Sequence, residues 1–264
     1  MPQPASPLPV LTPTPGLEYP VGFPIATSAR PMRVTDSRQV APADENGPTL
    51  EQVARDIQTR PQNDMESNRY GWNCRLHDKY EGTGPAVDWY LPSGTPITTV
   101  MGGEAELYII TTANSYSFYR VPIEPGLGLP DPSMPLYPLP GPSGGMGVFV
   151  SVRNGALRAE YGHLDLAATL PLVPEGAFVQ PYSRGFNYEA PFGRPVDYRQ
   201  TTLIARWSVG KGEIIGKAGN TGYSDVPHLH YQIVTADRSR KFCPTREPFP
   251  DSGWLFEKPA GFRP

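Results

Sequence analysis

Proline occupies 34 of the 264 positions, and that fact narrows the fold before any motif is read. Inside a helix, proline removes a backbone donor and clashes with the preceding turn; inside a central strand, it deletes a ladder hydrogen bond. With 27 glycines added, the chain is set for many turns, long loops and extended arms, and for little helix. Hydrophobic residues make up 38% and aromatics 11%, enough for a proper core at this length. The expectation is a mainly β protein, with an antiparallel β-sandwich or barrel-like core, long Pro-rich loop insertions and an extended N-terminal arm.

Residues 1–48 carry prolines every few positions and no periodic apolar pattern. Such a segment cannot build its own core and is ordered only where it lies on something else. A floppy linker and an arm that docks an assembly partner both fit it. Residues 49–59 are the clearest helix: Thr49 and Gln52 make a capping-box pattern, Leu50, Val53, Ala54 and Ile57 mark one face, and Pro61 stops it. Residues 49–69 thus read as a short helix and linker, and residues 70–264 as one domain. Within that domain the alternating, aromatic-rich segments 86–90, 97–100, 104–111, 147–152, 157–163, 214–218 and 230–234 are expected strands. Two stretches break the rhythm, at about 113–145 and 167–207, and are expected to be insertions over the core.

The formal net charge is −3 and the 23 basic residues are scattered, which leaves no electrostatic footprint for nucleic acid or an anionic membrane. No apolar run is long enough to span a bilayer, and the N-terminus lacks the basic-then-apolar pattern of a signal peptide. Cys74 and Cys243 allow one disulfide, and two buried free thiols fit equally well. There is no H-E-x-x-H helix, no G-x-S-x-G elbow and no phosphate-binding loop.

Histidine is scarce, and none of it lies in featureless sequence. His228 and His230 flank Leu229 in a segment that follows a Gly-Asn-Thr-Gly turn and reads as a strand. A side-chain period of two places both imidazoles on one face, with Leu229 and Tyr231 on the other. His77 follows Arg75-Leu76 and precedes Asp88 by eleven residues, and Asp88 leads into Leu91-Pro92-Ser93-Gly94-Thr95-Pro96. His163 lies in Tyr161-Gly162-His163-Leu164.

In this order these elements, with Gly212-Glu213-Ile214-Ile215-Gly216 and Gly219-Asn220-Thr221-Gly222 before His228-Leu229-His230, resemble the lysostaphin-type zinc endopeptidases that cut the peptide cross-links of bacterial cell walls. The resemblance covers roughly residues 70–234. It implies Zn2+ held by His77, Asp88 and His230, and His163 and His228 as the pair that handles the water and the developing oxyanion. It implies peptidoglycan peptides as substrate, and an extracellular, cell-envelope or phage-borne setting. Two histidines and one carboxylate are also a chemically apt donor set, because three N and O ligands leave a zinc position open for water. Tyr161 is a second candidate for the oxyanion, or simply an aromatic strand residue. The four tryptophans read as core anchors, and Gly94, Gly219 and Gly222 as turn positions with positive φ.

The sequence departs from the family where the first His stands eleven residues before the Asp instead of four. A loop must bring His77 back, and Cys74 becomes a rival ligand. The alternative reading is an inactive member of the fold that binds wall material, activates another hydrolase or serves an assembly.

Overall fold

A computed structural model of the chain describes residues 20–25, 33–34, 40–41, 71–72, 74, 77, 84–110, 117–119, 137–139, 146–180, 182–184, 201–222, 224, 227–245, 248–249 and 252. The helix expected at 49–59 and most of the N-terminal arm lie outside them. Among the described residues the strands are β1 (Arg33–Val34), β2 (Val40–Ala41), β3 (Gly71–Trp72), β4 (Val87–Tyr90), β5 (Pro96–Thr98), β6 (Gly103–Ile110) and β7 (Ser117–Tyr119). They continue with β8 (Tyr137–Leu139), β9 (Val148–Asn154), β10 (Leu157–Gly162), β11 (Thr201–Val209), β12 (Ile214–Lys217), β13 (His228–Thr235) and β14 (Lys241–Phe242).

One large sheet runs in the order β11, β6, β9, β10, β13, β4, β3, with β14 added to the far end of β13. Every strand pair is antiparallel. The sheet is open, because β3 and β11 are its two edges, so the sandwich-like half of the expectation holds and closure into a barrel does not occur. β5 and β12 form a separate pair, and one hydrophobic cluster joins their Ile97 and Ile215 to the apolar face of the large sheet.

Alternation builds that face. Leu107, Val150, Ala159, Tyr161, Trp89, Leu229 and Tyr231 all point into the core and are fully buried. Tyr161 is therefore a core residue on the side away from His230: its hydroxyl accepts from Val100 N at 3.0 Å. Burial pushes its phenol pKa up to about 12, against the lowering effect of its bonds to Thr99 and Val100, so Tyr161 has no part in the site. The tight hairpin between β9 and β10 turns on Gly155 and Ala156, with Gly155 at φ 56, the glycine-first geometry that matches strand twist.

The expected strands are present with ends shifted by one or two residues, and two expectations need correction. The stretch 167–207 is no simple insertion. It opens in the short helix Leu166–Thr169, and its last seven residues belong to β11, paired along its length with β6. A β-bulge between Leu203 and Ala205 hid this strand: it buries the adjacent Ile204 and Ala205 and breaks the period of two. The stretch 113–145 contains the pair β7 and β8; the rest of it lies outside the described residues. Of the arm, residues 20–25 lie along β5, where Thr98 N donates to Pro24 O at 2.9 Å and Ile25 bridges Ile97.

Cys74 and Cys243 form a disulfide, Cα to Cα 5.7 Å, which removes both the free-thiol reading and the thiolate-ligand reading.

Candidate metal centre

β13 lies between β10 and β4, hydrogen-bonded on both sides. Its even-numbered positions His228, His230 and Gln232 face away from the core. Register sets Asp88 of β4 directly across from His230, and Tyr90 across from His228. Side chains so opposed lie within contact distance, and His230 Nδ1 is 3.1 Å from Asp88 Oδ1.

His77 arrives from outside the sheet. It and Cys74 both have helical backbone. The disulfide ties Cys74 to the residue following β14. His77 Nε2 ends 3.1 Å from His230 Nδ1 and 4.0 Å from Asp88 Oδ2. The eleven-residue spacing from His77 to Asp88 is thus no obstacle. Donor atoms of His77, Asp88 and His230 all lie within 4.8 Å of one another, and all three residues are buried.

The outer nitrogens settle the tautomers. His77 Nδ1 donates to the Gly84 carbonyl at 2.8 Å, and His230 Nε2 donates to Gln232 Oε1 at 3.2 Å. Each imidazole therefore turns its basic nitrogen inward, toward a carboxylate. Two basic nitrogens 3.1 Å apart are tolerated only with a proton or a cation between them, and outward bonds of this kind are the usual second shell of histidine ligands. The donor set fits a divalent ion such as zinc. Burial alone would raise the Asp88 pKa. The charge attraction of His77, the close approach of His230 and the attraction of His228 outweigh it and hold the carboxyl below its usual range.

His163 and His228 stand beside the cluster. Their ring centroids are 4.3 Å apart, and His163 is 5.6 Å from His230. His163 is one of two non-glycine residues at positive φ among those described, at 59°, a conformation that costs energy and concentrates at functional sites. It is held there by Met146 O, which accepts from its N at 2.9 Å, and by Thr221 O, 2.6 Å from Nδ1. The Thr221 bond makes Nε2 the basic nitrogen. His228 Nδ1 is 3.0 Å from Ser224 Oγ, which donates to Asn220 Oδ1, and His228 Nε2 is 3.9 Å from Asp88 Oδ1.

Glycines let the turn that carries Thr221 come this close. A Cβ on Gly147, at φ 58, would lie 2.3 Å from Gly222 N, and one on Gly219 would lie 2.4 Å from Asp165 N. Gly94 and Gly222 do have positive φ as expected; Gly219 instead serves close approach.

All five site residues read from sequence converge. The sequence reading missed Gly84, Gln232, Thr221 and Ser224, which orient the imidazoles. Only Gln232 carried a signal, because it shares the two-residue period of the histidines.

Comparison with solved structures finds lysostaphin-type peptidases. One match is a catalytic-domain mutant of the prophage-encoded protein EnpA from Enterococcus faecalis, 16% identical, covering 62% of this chain and 77% of that one, TM-score 0.30. Another is the catalytic domain of lysostaphin from Staphylococcus simulans, 20% identical, covering 61% and 74%, TM-score 0.30. A third is a zinc-containing peptidase from Vibrio cholerae, 14% identical, covering 88% and 41%, TM-score 0.35. No family model and no curated protein matches the chain. At such identities and TM-scores the likeness assigns no activity.

Burial keeps the pKa of His163 well below 6.5, aided by repulsion from His228 and His230 and opposed by the Thr221 bond and by Asp88. A depressed histidine pKa stabilises the fold above the unfolded value and loses that contribution as pH falls. The metal-free protein is therefore expected to lose up to about 1.4 kcal/mol per pH unit below about 6.5 from this group. Asp88, also depressed, adds a second loss below about pH 4. Thermal midpoints measured in chelator from pH 7 to 4 check this, and His163→Asn should flatten the upper part of the curve.

Proposed function

We propose that this chain is a zinc-dependent endopeptidase that hydrolyses the peptide cross-links of bacterial peptidoglycan. The observation that carries the reading is the convergence of His77, Asp88 and His230, with basic nitrogens turned inward and both outer nitrogens bonded. Zinc bound there would supply a Lewis acid and a water of pKa near about 7. The chain's own residues do the rest. His163, kept neutral by burial and with its Nδ1 proton committed to Thr221, takes a proton at Nε2. His228, whose Nδ1 donates to Ser224 Oγ, would donate from Nε2 to the developing oxyanion in its doubly protonated form. The His163 ring, at 4.3 Å from that of His228, can then hand its proton to the leaving amine.

The disulfide suits a protein working outside a reducing cytosol, which fits action at the cell envelope or from a phage particle. An N-terminal arm that makes assembly contacts belongs to the same proposal.

The test pairs metal content with wall clearing. Purified wild type is expected to carry about one zinc per chain and to lower the turbidity of a cell-wall suspension. His230→Ala should lose both. A wild type that takes up no zinc and clears nothing discards the reading.

A further inference from the structure

We infer that Glu160 is a positioning residue that fixes the tautomer of His230 through Gln232, making Nδ1 the nitrogen offered to a metal. The inference rests on reading the His77, Asp88 and His230 cluster as a metal centre.

The link is a buried chain across two strands. Register places Glu160 of β10 opposite Gln232 of β13, and Glu160 is 1% exposed. Gln232 Nε2 donates to Glu160 Oε2 at 2.7 Å. The other carboxylate oxygen, Oε1, accepts from Arg238 Nε at 2.7 Å and from Ser151 Oγ at 3.4 Å. A carboxylate paired with arginine only accepts hydrogen bonds. It therefore meets the NH2 end of the Gln232 amide and turns the carbonyl end toward His230. That carbonyl can only accept, so His230 Nε2 must carry the proton.

Arg238 is itself pinned. Its guanidinium lies 5.1 Å from the ring centroid of Tyr108 and 6.0 Å from that of Phe149, a cation–π seat. Behind it the same face of the sheet continues in charge pairs: Arg158 bonds Ser151 and Glu106, and Glu106 also bonds Arg206. An amide has no intrinsic preference for either orientation, so its direction is set by the partner with the fewest options. Here that partner is Glu160, two strand residues and one amide away from the metal ligand.

Long-range proton–nitrogen correlation spectra of the imidazoles read the tautomer directly in the metal-free, full-length protein. Wild-type His230 is expected to be protonated at Nε2. In Glu160→Gln the new side chain can donate or accept, the Gln232 amide is free to turn, and His230 should show a mixture of tautomers. Zinc affinity, measured by competition with a chromogenic chelator, should fall by about 10–100-fold. Ser151→Ala removes a Glu160 contact without touching the Gln232 amide, and should match wild type in both readouts. If Glu160→Gln does not fold, Gln232→Met tests the same link and should give the same mixed signal. A wild-type His230 that carries no proton on Nε2, or a folded Glu160→Gln or Gln232→Met variant that keeps the Nε2 proton and wild-type zinc affinity, overturns the inference. A wild type with the Nε2 tautomer that binds no zinc would discard the proposed function while leaving the tautomer assignment in place.

Discussion

His163→Asn is expected to lower turnover by about a hundred- to ten-thousand-fold, the range over which a positioned general base contributes, while the protein still binds zinc. Asparagine is the informative substitution because His163 sits at φ 59, a region asparagine tolerates better than most residues. Backbone strain is then little changed, and only the basic nitrogen is lost. His163 belongs to the turn after β10 and supplies none of the three clustered donor atoms, so metal content should equal that of wild type. Zinc content and turnover of a soluble wall-derived peptide, measured on one preparation, check the split. Loss of zinc together with activity would place His163 among the ligands. Unchanged turnover would remove it from the chemistry.

Opening the disulfide is expected to act in the opposite order, on stability and metal first. The bridge joins positions 169 residues apart, and closing so long a loop restrains the unfolded chain strongly; removing such a bridge typically costs about 2–5 kcal/mol. The cost should appear in Cys74→Ser/Cys243→Ser as a lower thermal midpoint. A second effect follows from placement. Cys74 stands three positions before His77, and the bridge ties it to the residue after β14. Freed from it, His77 keeps the Gly84 carbonyl but loses its anchor, and zinc affinity should fall by about tenfold or more, by analogy with the loss of groups that orient a ligand. Chelator competition with and without reductant measures this. A reduced protein that binds zinc as tightly as the oxidised one would mean that His77 needs no such anchor.

Much of the large sheet was legible because its strands alternate plainly. Val148, Val150 and Val152, and Leu229, Tyr231 and Ile233, recur at every second position and bury one face. β11 was not legible: its bulge puts Ile204 and Ala205 side by side in the core, and proline-rich sequence before it suggested an insertion. The site shows the same contrast. His228 and His230 declare a shared face through their spacing. Asp88 and His163 could be placed only through the resemblance to a known family, because what unites them is pairing between strands far apart in sequence. Glu160 shows the limit most clearly. It meets Gln232 across 72 positions, and only the register of β10 on β13 brings them together. The cysteines left two readings open, since nothing local to Cys74 says where Cys243 will be.

The three candidate ligand positions are also unequal in how firmly the fold grips them. His230 sits in a strand with a hydrogen-bonded neighbour on either side, and Asp88 sits in one of those neighbours, itself covered by β3. Amide hydrogens there should exchange only through whole-molecule opening. His77 belongs to no strand of the sheet, and Cys74, three positions before it, is joined to Cys243 by the disulfide. An ion leaving this cage would accordingly let go of His77 first and of the two strand-held side chains last.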